Sequence, residues 1–364
     1  MKKDNKLLYL NNSKIETYIN EIHKIKIIGD SLSIKSILRE YRTLYNINKK
    51  SQYVIQLKDL KIRKHDNNSE IVFVYPDEGI ELFSLINTKV YDYKKEKHLI
   101  RWILFQILKG LETLHSLNII HRDINPYHIL ISSIGGIKII GLSHSINDIE
   151  SKFVDDKIIG LLPYIAPETL IAHYFNNKVD IWSVGIIMLE LYSKKTFYFD
   201  FNLNGEKKDD PIIFLNQLKY LANKFSIPFP NNLNQNNINL KEELIKWLSN
   251  ARLEPKKFNE IFGKIPDMDE DGLELLRGLL AFNPKERITA KEALKSKYFK
   301  DFQHLNTEEY KKTKIKENEN LSLFLKNLEK EFQKADQLPL DKKNEIFQTE
   351  INNIYQNRFV GKNN

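Results

Sequence analysis

The sequence predicts an α+β protein in two unequal lobes: a small antiparallel β lobe carrying one helix, then a larger, mainly α lobe. Over residues 1–76, apolar positions recur mostly at every second residue and are interrupted by one stretch of helical spacing. Beyond Pro76 the spacing turns helical, with runs so apolar that they belong inside a core. Hydrophobic residues make up 41% of the 364, enough to bury a sizeable interior.

Taken in order, Lys6–Leu10 and Lys14–Ile19 are strand candidates, and Ile22–Ile28 alternates at period two. Ser33–Ile47 switches to a helix with Ile34, Ile37, Leu38, Tyr41 and Leu44 on one face. Val54–Ile62 and Glu70–Tyr75 return to strands. Tyr93–Leu117 is a long amphipathic helix, and Ile129–Ile131 and Ile137–Ile140 are short strands joined by a turn at Gly135-Gly136. Asp180–Leu191 reads as a core helix. The Asn-rich stretch Thr196–Ile265 holds only short helical patches, and Asp271–Phe282 and Thr289–Tyr298 are helices again. In the last segment Leu321, Leu325, Leu328, Phe332 and Ala335 mark a helical stripe ended by Pro339. The expected division is a small lobe at 1–76, a large lobe at 77–302 with an Asn-rich insert at about 196–265, and a charged helical tail at 303–364.

Composition excludes several functions. The net charge of +8 is spread over Lys-rich helix faces, which argues against a nucleic-acid groove. With no Cys there is no disulfide, thiol nucleophile or thiolate metal site. The apolar run near the N-terminus is too short for a signal peptide, and nowhere do about 18 apolar residues run together to span a membrane. The expectation is an intracellular protein, cytoplasmic or nuclear, with neither nucleic acid nor membrane as partner.

The stretch Ile119–Ile131 reads IIHRDINPYHILI, a His-Arg-Asp triplet between an apolar pair and a β-like run. IAPETL at Ile165–Leu170, VDIWSVGIIMLEL around Asp180 and NPKERITAKEALKSKYF at Asn283–Phe299 follow in order. Over roughly Leu7–Phe302 these landmarks resemble a eukaryotic protein kinase, most of all the group of cyclin-dependent, MAP and casein kinases. The resemblance implies that Asp123 is the vestige of the base that orients a substrate hydroxyl. It also implies that Asp180 supports the catalytic-loop backbone, that Arg287 pairs with Glu168, and that Arg39 and Arg122 hold the activation loop. Lys26, with Lys24 as the other register, resembles the strand lysine that contacts nucleotide phosphates, and Glu40 its helix partner.

Where the family's chemistry sits, the residues differ. Magnesium needs oxygen ligands in near-octahedral geometry. The resemblance puts the principal carboxylate at Gly141, in the run Ile137-Lys138-Ile139-Ile140-Gly141, and the second ligand at His128. Neutral imidazole suits zinc or copper better than magnesium, and His128 has no His or Cys companion at ligand spacing, so no metal site is expected. The lysine that contacts the transferring phosphate is Asn125. The phosphate loop, Leu10 to Ile15, lacks glycine. Phe73 and Val74 resemble the approach to the hinge, and if Phe73 is the gatekeeper, the adenine donor three on is Pro76, which has no N–H. In His144–Leu162, Asp148, Glu150, Asp155 and Asp156 are acids that could replace an activating phosphate.

The reading that follows is a pseudokinase: a kinase-like protein, inactive or severely impaired, serving as a protein-binding scaffold or allosteric partner of an active kinase or regulatory complex. No cofactor is expected; ATP binding is possible and would be weak, and magnesium binding is doubtful. The alternative is a divergent, active ATP-dependent Ser/Thr kinase.

Overall fold

Strands β1 (Leu8–Leu10), β2 (Ser13–Tyr18) and β3 (Glu21–Ile28) open the chain, followed by helix α1 (Ser31–Ile47) and strands β4 (Asp59–Lys64) and β5 (Ser69–Pro76). They are seen in a computed structural model describing residues 8–302, apart from 11–12, 19–20, 29–30, 48, 65–68, 88–96, 133–134, 148–158, 173–175, 194–210, 231–239, 253, 264 and 266. The sheet order is β1-β2-β3-β5-β4, antiparallel throughout. Alternation on β5 sends Phe73 and Tyr75 into the main core and leaves Val72 and Val74 as a separate buried pair. Helix α1 buries Ile37, Leu44 and Ile47 together with the polar Glu40 and Thr43.

The large lobe begins with β6 (Ile80–Glu81), α2 (Leu82–Asn87) and the 20-residue α3 (Lys97–Ser116). Next come β7 (Ile119–Ile120), β8 (Ile129–Ile131), β9 (Ile137–Ile139) and β10 (Ile146–Asn147). β6, β8 and β9 form one small sheet, and β7 pairs with β10. Helix α4 (Pro167–Ala172) leads to α5 (Lys178–Ser193), in which Val179–Tyr192 is buried throughout. Trp182 lies at the centre of α5 and meets Phe282 edge to face with ring centroids 5.2 Å apart. The same core takes in residues of α6 (Pro211–Lys224), α7 (Leu240–Asn250), α8 (Pro255–Phe262), α9 (Glu270–Leu279) and α10 (Ala290–Ala293). Among the described residues no helix is long and apolar enough to cross a membrane.

Four expectations are corrected. The Val54–Ile62 run is not one strand. Its first part forms a single parallel bridge from Val54 to Ile139, with Ile55 N–H donating to the Ile139 carbonyl at 2.9 Å and Ile139 N–H to that of Tyr53 at 2.8 Å. That ties the small lobe to β9 and leaves β4 to start at Asp59. Residues 196–265 hold more than short patches, with helices of 14, 11 and 8 residues. Their apolar stripes (Leu215, Leu218, Leu221 and Ala222; Leu244 and Leu248; Phe258 and Phe262) are buried in the lobe. Between Thr289 and Tyr298 the helix is only the four residues of α10, started by a Thr289–Glu292 capping box, before a 3₁₀ turn at Lys297–Phe299. Tyr41 is exposed, because the buried stripe of α1 runs through Glu40 rather than its neighbour. The tail stripe and the acids at 148, 150, 155 and 156 lie outside the described residues.

Candidate functional site

Between β7 and β8 the chain makes a tight loop built on one carboxylate. Asp180 accepts hydrogen bonds from the backbone N–H groups of His121 (2.9 Å) and Arg122 (2.8 Å), and its Oδ2 lies 2.9 Å from His115 Nε2. Burial alone would raise its pKa, but the hydrogen bond and charge of His115, with those of His121, hold it below the usual carboxylate value. These bonds sustain a left-handed backbone at Arg122, φ 69°, which a side chain rarely adopts unaided. His121 Nε2 donates to the Ile140 carbonyl at 2.7 Å and its Nδ1 accepts from Asp123 N–H at 3.2 Å. Burial, against the opposing pull of Asp180, lowers its pKa below 6.5.

Asp123 is buried, and both carboxylate oxygens are engaged. Oδ1 accepts from Asn125 Nδ2 at 2.9 Å, and Oδ2 lies 3.3 Å from His128 Nδ1. Asn125 caps the 3₁₀ turn Pro126–His128, its Oδ1 accepting from Tyr127 N–H at 3.0 Å. That orientation turns Nδ2 toward the Asp123 carbonyl (3.0 Å) as well. His128 Nδ1 lies 2.7 Å from the same carbonyl, which can only accept, so the ring carries its hydrogen on Nδ1. Beside the His128 ring, Gly141 has φ 83° and ψ 32°. A Cβ built there would stand 2.6 Å from His128 Cγ and 2.7 Å from Cδ2 and Nδ1.

At the back of the cleft the sequence reading missed a residue. Tyr75 Oη donates to Glu40 Oε1 at 2.8 Å, and burial followed by the Glu40 charge pushes the phenol pKa well up. The β5 side chain that reaches the helix glutamate is therefore Tyr75 and not Phe73, which stacks behind it at 6.3 Å. The parity signal was available, because residues 73 and 75 share a strand face. Val74 lies on the opposite face, and Pro76 ends β5 opposite Glu21. The β3 lysines are described by register alone: Lys24 opposes Phe73 and Lys26 opposes Ile71. Glu78 Oε1 lies 3.3 Å from Lys138 Nζ on β9. At the front, Phe83 and Tyr127 stack with centroids 4.1 Å apart. Pairing Leu10 with Ser13 leaves two residues between β1 and β2, a short connection for any phosphate cradle.

Two further groups frame the site. Arg122 is buried close enough to Arg39 for like charge, after desolvation, to lower its pKa to about 10. Glu168 receives a two-pronged contact from Arg287, at 2.6 Å and 2.9 Å. Magnesium, which a fold of this kind implies, does not fit the donors in place. Gly141 has no side chain, His128 turns its Nδ1 to Asp123, and among the described residues no group of three or more His, Asp or Glu could hold a metal.

Comparison with known proteins agrees with the geometry of the frame. The family model described as "Protein kinase domain" matches residues 13–299. Mitogen-activated protein kinase 10 of Arabidopsis thaliana is 26% identical over 302 residues, covering 81% of this chain and 71% of that protein. Cell division control protein 2 homolog 2 of Trypanosoma brucei brucei is 28% identical over 278 residues, 75% of this chain and 72% of that protein. Extracellular signal-regulated kinase 2 of Dictyostelium discoideum is 29% identical over 253 residues, 68% and 63%.

Proposed function

The chain belongs to the protein kinase domain family, and from that premise we propose that it is a pseudokinase: it keeps the scaffold for binding other proteins and does not transfer phosphate at a physiological rate. One observation carries the reading. Around Asp123 the two positions that should offer oxygen to a divalent cation offer a hydrogen atom and an imidazole. Phosphoryl transfer depends on charge neutralisation and positioning, with little covalent chemistry from the protein. Losing one preorganised electrostatic group costs about 10²–10³ in rate. Two cation ligands and the phosphate-contacting lysine are replaced, and since such groups act as a unit the expected loss is at least about 10⁴.

The back of the cleft refines what a nucleotide would meet. With Tyr75 rather than Phe73 against Glu40, the register moves by two residues. The donor three on becomes Glu78, which has an N–H, and the strand lysine becomes Lys24. Adenine could then be held where proline would have forbidden it, so weak, cation-free nucleotide binding is compatible with the site. Protein binding is supported by helix α1, whose Tyr41 and Tyr45 are exposed with rings 6.2 Å apart. The second reading, a divergent active Ser/Thr kinase, draws on the Asp180 contacts to the backbone of His121 and Arg122 and on the Glu168–Arg287 pair.

Thermal-shift titration with ATP, with and without magnesium or manganese, separates the two. The expected result is a small shift or none, unchanged by metal, and phosphate transfer to casein no greater than that of Asp123→Asn. A shift of several degrees that requires the metal, with transfer abolished by Asp123→Asn, would establish the enzyme instead.

A further inference from the structure

We infer that His128 and Gly141 are a mutually dependent pair, in which the imidazole plugs the cation position of the cleft and the glycine is what allows the ring to lie there. The inference deepens the reading above, on which the cleft holds no cation. It adds that the site is sealed by a resident side chain, which is a stronger statement than the absence of two ligands.

The geometry leaves the ring little freedom. On one edge Nδ1 is held at 2.7 Å from the Asp123 carbonyl and 3.3 Å from its carboxylate. At the backbone, His128 N–H donates to the Asn125 carbonyl and Ile140 N–H to the His128 carbonyl, both at 2.9 Å. The second of these bonds ties residue 128 to the residue just before Gly141, so the two positions cannot drift apart without breaking the end of the β8–β9 pair. The His121 ring stands 6.1 Å away, centroid to centroid. Cγ, Cδ2 and Nδ1 then occupy the volume within 2.7 Å of where a Cβ at 141 would be, closer than side-chain carbons approach one another. Two obstacles to any residue at 141 follow: the ring, and the left-handed φ of 83°. Only the first depends on His128, which makes the pair separable by experiment.

Four full-length proteins suffice for the first arm: the parent, Gly141→Ala, His128→Ala and the double variant, compared by thermal unfolding. Gly141→Ala should lower Tm in both backgrounds through its φ. The drop should be smaller by about 3 °C or more once the ring is gone. Equal drops would overturn the pairing. If Gly141→Ala does not fold but the double variant does, the pairing stands; if neither folds, backbone strain alone accounts for the glycine and the pairing falls.

A second arm tests the plug. His128→Asn with Gly141→Asp should acquire an ATP-induced shift that requires magnesium, and neither single change should. A folded double variant without that shift would overturn the plug. A magnesium-dependent shift in the parent would instead sink the pseudokinase reading, while the first arm still reports on the pair.

Discussion

Arg287 is a fully buried cation whose five N–H donors all find acceptors. Two go to Glu168, and the others to the carbonyls of Lys178 (3.0 Å), Ala281 (2.9 Å) and Phe282 (3.2 Å). Its guanidinium also lies over the Trp182 ring, 5.1 Å from the centroid. Breaking one half of such a pair leaves a charge in the core with nothing to balance it. Glu168→Gln should therefore cost about 3–5 kcal/mol in denaturant unfolding. A loss below about 1 kcal/mol would mean that the pair is solvated in solution. Asp180 follows the same logic with backbone donors, which is why one carboxylate can hold a loop containing a left-handed arginine.

Helix α1 is docked from two directions. Tyr75 holds Glu40 from the sheet. From the large lobe, Thr43 Oγ1 and Ser145 Oγ are 2.7 Å apart, both side chains buried. Ser145 Oγ donates to the Leu142 carbonyl at 2.7 Å, so Thr43 is the donor to Ser145. A hydroxyl pair thus links the helix to the segment that follows Gly141. Thr43→Val keeps the shape and removes that bond, which should cost about 1 kcal/mol. Hydrogen exchange should then quicken in α1 and at Leu142–Ser145 together. Faster exchange in the helix alone would show that the link does not couple the lobes.

For the whole molecule, acid is the revealing stress. Burial holds His121 below 6.5 in the folded state, so from about pH 6.5 downward the unfolded chain takes up a proton that the folded one refuses. Stability should fall over that range. Asp180 is held below 3.8, so its contribution is present above that value and is lost as pH falls through its folded pKa. A plot of Tm against pH should decline first below about 6.5 and more steeply below about 4. His121→Asn should flatten the first decline; a Tm equal at pH 7 and pH 5 in the parent would count against the buried neutral imidazole.

Much of this architecture was legible in the chain because it rests on local periodicity. Alternation in Ile22–Ile28 and Glu70–Tyr75, and the apolar run after Asp180, are patterns carried by neighbouring residues, so strands and core helix could be placed from the text. The helices at 211–262 were obscured by an Asn bias that lowers helix propensity while leaving stripes such as Leu215, Leu218 and Leu221 in place. The residue types at Gly141, His128 and Asn125 were likewise readable.

Sequence by itself determined which groups this cleft possesses. Only the tertiary structure decided how they are spent: Tyr75 on Glu40 across 35 residues, Thr43 on Ser145 across 102, and the His128 ring in the space Gly141 leaves open. Such contacts arise between residues far apart in the chain, and no local pattern encodes which distant side chain will arrive at a given point in space.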